Sequence, residues 1–102
     1  MKSKKLKIRC FTYTVHFTKA ASDHGETDNE TKQIYINTNY PLQTQRETLH
    51  HEILHACLHD YPNFGKEMKS DEQEEEIVRY QSPVEVQIYQ DNKWVRDFIF
   101  GK

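Results

Sequence analysis

The chain has 102 residues, 14 of them basic and 16 acidic, for a formal net charge of −2. That length makes one domain with a single modest core, and that charge excludes broad nucleic-acid binding, which needs a net basic surface. Charged residues are 29% of the chain, but six tyrosines, five phenylalanines and one tryptophan supply enough apolar area to exclude a disordered polymer.

Charge is unevenly placed. Lys2, Lys4, Lys5, Lys7 and Arg9 crowd the start, and residues 1–5 read as a basic, solvated tail. Residues 6–17 read as a strand: Leu6, Ile8, Cys10 and Phe11, then Tyr13, Val15 and Phe17, alternate with one break. Residues 20–24 read as a loop or helical turn. A short strand near Gly25, a turn at Asp28-Asn29-Glu30 and a second strand over residues 33–37 predict a hairpin. After a connector ending at Pro41, a helix is expected over residues 42–59, with Thr44 and Glu47 as a capping box and Asp60-Tyr61-Pro62 as its stop.

A loop over residues 60–69 leads to a second helix capped by Ser70 or Asp71, with acidic residues in its first turn. This helix carries Ile77, Val78, Tyr80, Val84, Val86 and Ile88, is expected to kink at Pro83, and ends at Asp91-Asn92. The apolar segment from Trp94 to Phe100 is expected to dock on the body as core, with a dimer contact as the other use for it.

Cys10 and Cys57 are far apart and in no ligand spacing, which fits a reducing cytoplasm better than secretion. No apolar run approaches the length of a signal-peptide core or a membrane span, so a cytoplasmic, unanchored protein is expected.

The chemistry concentrates in His51-Glu52-Ile53-Leu54-His55, an H-E-x-x-H pattern inside the first helix. Residues four apart on a helix lie nearly one above the other, so His51 and His55 can aim two imidazole nitrogens at one point. Zn²⁺ accepts such nitrogens and, in catalytic sites, keeps one position for water; Glu52 can reach that water as general base. Six histidines make an accidental match easier, but Leu49, Ile53, Leu54, Ala56, Cys57 and Leu58 surround the motif as a buried helix requires.

A catalytic zinc needs a third protein ligand. His59 would be rotated about 80° from His51 and some 12 Å along the axis, so it reads as a C-terminal cap. His50 points about 100° away from the metal face. The cluster Asp71, Glu72, Glu74, Glu75 and Glu76 is the better source. Periodicity places Glu74 nearest the centre of the second helix's apolar face and Glu75 on its edge.

The order of strand, hairpin, H-E-x-x-H helix and glutamate-bearing helix resembles the ImmA/IrrE-type zinc metallopeptidases, especially short phage- and prophage-encoded members. Thr48-Leu49-His50-His51-Glu52-Ile53-Leu54-His55-Ala56 resembles that family's metal helix, and Gly25-Glu26-Thr27 with Ile34-Tyr35-Ile36-Asn37 resembles its hairpin. Glu75, Val78 and Ser82 match its later glutamate pattern, while Gln81 and Pro83 depart from it. The resemblance covers most of residues 10–92. It implies Glu75 as third ligand beside His51 and His55. It also implies a minimal zincin-like α+β fold, with a small antiparallel sheet of about three strands packed on the two helices, and the chain length makes this a single domain over residues 1–102.

The function expected is zinc-dependent hydrolysis of a peptide bond in a specific protein substrate, such as a repressor or other regulator. Tyr61, Tyr80 and His59 are the candidate oxyanion donors. The rival readings are a metal-bound interaction module with weak or lost hydrolysis, and a structural metal-bound or metal-free domain. No nucleic-acid or membrane partner is expected, and oligomeric state is left open.

Overall fold

A computed structural model of the chain describes residues 2–58 and 71–101, and the side chains of residues 3–58 and 76–101. Its elements are β1 (Lys2–Ile8), β2 (Phe11–Thr18), β3 (Gly25–Asp28), β4 (Gln33–Asn37), α1 (Leu42–Leu58), α2 (Asp71–Asp91) and α3 (Lys93–Phe100). The domain is α+β, as the pattern of residues implied. Its sheet has four strands in the order β1-β2-β4-β3.

The stretch expected as one strand is two. Ile8 pairs with Phe11, so Arg9 and Cys10 form a two-residue loop, with Arg9 at φ 57°. Such loops take positive φ to match the twist of the flanking strands, normally with glycine or asparagine. Here arginine adopts it, and the sequence carries no turn signal. Residues 2–5, expected as a tail, pair with β2 as the first half of β1.

β3 and β4 form the expected hairpin, closed by Asp28, whose Oδ1 accepts hydrogen bonds from the amides of Glu30 (3.0 Å) and Thr31 (3.1 Å). Those bonds, Thr31's foremost, hold its carboxyl below the ordinary value. The sheet is mixed rather than antiparallel, because β4 enters between β2 and β3 and runs parallel to β2. Residues 19–24 must therefore cross the end of β4. Asn37 secures that crossing: its Nδ2 donates to the carbonyls of Ala21 (3.2 Å) and Asp23 (2.7 Å), and its amide to that of His24 (2.9 Å). A crossing loop with no paired strand beside it needs such side-chain partners for its carbonyls.

Leu6 and Ile8, Tyr13 and Val15, and Ile34 and Ile36 present the sheet's buried face to the helices. α1 answers with Leu49, Ile53, Ala56 and Cys57, the i, i+4, i+7, i+8 stripe of a helix lying on a core. Val84 and Ile88 of α2 and Val95 of α3 complete it. α1 starts earlier than the capping box required. The Gln45 amide bonds the Pro41 carbonyl at 3.0 Å, which places Thr44 inside the first turn and leaves it no capping role. The expected stop at Asp60-Tyr61-Pro62 and the cap at Ser70 lie outside the described residues.

α2 continues through Pro83 and ends at Asp91, where Asn92 is buried. Asn92 accepts a hydrogen bond from the Lys7 amide (2.9 Å) and donates Nδ2 to the carbonyls of Lys7 and Ile88 (2.8 Å each). Trp94 Nε1 donates to the Lys5 carbonyl at 2.7 Å. The outer edge of β1 is thus covered at Lys5 and Lys7. Trp94 and Phe98 also meet the ring of Phe17, with centroids 6.2 and 5.1 Å away. The C-terminal segment therefore docks as core, with only Phe100 largely exposed among its aromatic residues. No helix among the described residues is long and apolar enough to cross a membrane.

Candidate metal and hydrolytic site

α1 packs against β3 and β4 and presents the H-E-x-x-H residues at the end of the sheet opposite the covered edge. His51 and His55 stand one turn apart, both exposed, with their Nε2 atoms 3.0 Å from each other and their rings nearly perpendicular (84°). The helical spacing has done what it predicted. Glu52, one position on, turns inward and is only 7% exposed.

What receives Glu52 is β3. Thr27 Oγ1 donates to Glu52 Oε1 at 2.7 Å. Two residues earlier Gly25 comes so near the helix that a Cβ there would lie 2.7 Å from Thr48 Cγ2. A cleft of about 430 Å³ opens beside these groups, with His51 and Glu52 on one wall and Asp23, His24, Thr44 and Glu47 among its other lining residues. His24 stacks on Tyr40 (4.1 Å between centroids), with Nδ1 3.0 Å from Asp23 Oδ1.

The other candidates separate. His50 leaves the metal face, as its helical angle required, and pairs with Glu85 Oε1 of α2 at 3.0 Å. Tyr80, a candidate oxyanion donor, is engaged instead by Arg9, which contacts its hydroxyl and lies over its ring at 5.1 Å. His59 and Tyr61 lie outside the described residues, as do the side chains of Glu74 and Glu75. Both glutamates belong to the first turns of α2. Among the described residues no third His, Cys, Asp or Glu joins the histidine pair as a metal cluster. Cys57 lies on the buried side of α1, 2% exposed, where burial first, and then the Glu85 charge, push its thiol up to about 12.

Does the histidine pair fit a metal ion? Two nitrogens bound at 2.0–2.1 Å to one tetrahedral ion stand roughly 3.3 Å apart. The 3.0 Å observed is within a small side-chain adjustment of that. Both atoms are Nε2, so one cation between them would replace the proton they share. The donor set suits zinc and other imidazole-binding metals.

Sequence reasoning missed Thr27, His24, Asp23 and the placement of Thr44 and Glu47 in the cleft. Thr27 reads only as part of the hairpin and Thr44 and Glu47 only as a capping box, Asp23 and His24 stand in no motif, and each reaches the site through the fold. The family model of the IrrE N-terminal-like domain, a peptidase family, matches residues 5–87, a span holding the second half of β1, all of β2, β3, β4 and α1, and most of α2. No curated protein and no solved structure matches the chain. With more than three quarters of its length matched, the chain belongs to the IrrE N-terminal-like domain family of peptidases.

Proposed function

We propose that the chain is a zinc-dependent metallopeptidase that cuts a peptide bond in a particular protein substrate, such as a regulator. The observation that carries this reading is the convergence of His51 and His55 Nε2 beside a buried, hydrogen-bonded Glu52 on an open cleft. His51 and His55 would hold the metal, with Glu75 of α2 as third ligand. When bound, such a metal activates water and polarises the carbonyl to be attacked.

Glu52 takes the proton from the attacking water and returns it to the leaving amine. His24, on the cleft wall, brings an imidazole that can donate toward the developing oxyanion. The substrate enters as an extended strand along β3. The reason is topological: β1 and β3 are the two edges, Asn92 and Trp94 occupy the outer main chain of β1, and β3 borders the cleft at Gly25. Main-chain pairing along an edge binds a peptide of any sequence, so specificity falls to the side chains of the cleft.

The test begins with metal content by mass spectrometry on wild type, His55→Ala and Glu75→Ala. About one zinc per wild-type chain, much reduced in both variants, is expected for a three-ligand site. Zinc retained in Glu75→Ala would move the third ligand to another residue. Glu52→Gln should keep its zinc and lose hydrolysis of the physiological substrate; hydrolysis that survives in Glu52→Gln would remove Glu52 as the base.

A further inference from the structure

Glu52 is held from the sheet, not from its own helix. Thr27 Oγ1 lies 2.7 Å from Glu52 Oε1 and 3.4 Å from the Glu52 carbonyl oxygen. A hydroxyl has one proton, and the shorter contact, to the charged group, takes it. The pairing is a matter of register. Two residues along a strand rise about 6.7 Å and four along a helix about 6 Å, so Gly25 beside Thr48 sets Thr27 beside Glu52. No other hydrogen bond to the Glu52 carboxylate is found among the described residues, and no buried side-chain oxygen there lacks a partner. Its second oxygen, Oε2, is therefore not sealed in the core, and Glu52 itself lines the cleft.

From this geometry we propose that Thr27 is a positioning residue for Glu52, fixing one carboxylate oxygen so that the other faces the reacting water. The proposal rests on the metallopeptidase reading and adds a residue to it. A glutamate has three side-chain torsions, and its helix restrains only the first. One firm hydrogen bond at the far end fixes the remainder. The donor is also neutral: lysine or arginine at position 27 would anchor the carboxylate equally well but cancel the charge that makes it a base. Thr27 is partly buried on a strand, so its hydroxyl is itself held in place by the β3–β4 ladder.

Acetohydroxamate is the probe. It chelates zinc through its two oxygens and hydrogen-bonds a carboxylate beside the metal, so its affinity reads the placement of Glu52 without any substrate. Calorimetry on the zinc-loaded chain should show about tenfold weaker binding in Thr27→Val, the low end for a lost hydrogen bond to a charged group, at unchanged zinc content. Thr27→Ser, which keeps the hydroxyl, should bind within about twofold of wild type. In a Glu52→Ala background, Thr27→Val should change nothing further, since there is no carboxylate to position.

Thr27→Val binding as tightly as wild type overturns the proposal and leaves the enzyme reading standing. A loss of the same size with and without Glu52 also overturns it, because Thr27 would then act through the fold alone. A wild type that takes up no zinc sinks the metallopeptidase reading and this inference with it. Thr27→Ala, smaller and without a hydroxyl, replaces the valine variant if that one fails to fold by circular dichroism.

Discussion

Gly25→Ala tests the contact on which the site depends. Alanine normally gains on glycine by limiting the unfolded chain, about 0.4–1 kcal/mol where the native backbone tolerates it. Here the added Cβ would stand 2.7 Å from Thr48 Cγ2 and 2.7 Å from the Tyr35 carbonyl oxygen, against 3.4–4 Å for ordinary contact. Tyr35 O belongs to the neighbouring strand and cannot rotate away. Crowding of this kind costs about 1–3 kcal/mol, so the steric effect should win by about 1–2 kcal/mol. Urea unfolding would read this directly, and a domain of this size should melt roughly 5–15 °C lower. Thr48→Ser, which removes Cγ2, should cost about 1 kcal/mol alone and clearly less in the Gly25→Ala background. It cannot restore full stability, because the carbonyl contact remains. An alanine variant as stable as wild type, or strict additivity of the two changes, would refute the close approach of β3 to α1.

Three further outcomes are expected. Asn92→Ala should lose about 2–3 kcal/mol in urea unfolding, since three hydrogen bonds go at once and the Lys7 and Ile88 carbonyls lose a donor; a loss under about 1 kcal/mol would mean that β1 is held otherwise. An aromatic disulfide reagent at neutral pH should label exposed Cys10 and spare Cys57 until the chain unfolds, because Cys57 is 2% exposed and its thiol ionises only near 12. Stability should fall as pH rises above 10: burial, and then the Glu85 charge, raise the Tyr89 phenol from 10.0 to about 12, so the unfolded chain ionises first and its share of stability, intact below 10, is gone by 12. Unfolding midpoints across that range should be flatter in Tyr89→Phe, and an equal slope in both would assign the effect to other groups.

What the sequence made legible was whatever is written locally. The hairpin over residues 25–37 carries its own turn residues, and α1 carries both its apolar stripe and its motif, so each could be read from a short window. The β1–β2 hairpin could not, because Arg9-Cys10 lacks turn chemistry and the alternation resumes almost in phase. The parallel pairing of β2 with β4 is also invisible locally, since it depends on which strand slides between two others. The capping box failed for a related reason: a Thr-x-x-Glu spacing is common, and Pro41 had already set the helix start. Thr27 shows the same limit at the site. In sequence it is a β-branched residue in a short strand, and its partner is known only once β3 lies along α1.

That dependence bears on how a short edge strand is held in place. β3 is four residues long and contributes no buried side chain, so burial alone cannot hold it. Its counterpart β1 is longer and gives up its free edge to Asn92 and Trp94. β3 instead takes its support from one side by the β4 ladder and from the helix by Gly25 and Thr27, and no third strand pairs with its outer edge among the described residues. The contacts that fix the strand are the same ones that aim Glu52. Loosening β3 would therefore disorder the Glu52 carboxylate and the edge proposed to take the substrate together, while His51 and His55, anchored on α1 alone, kept their spacing. If the chain is the metallopeptidase proposed above, metal binding and hydrolysis would be separable in this fold, and substitutions on β3 are where the two would part.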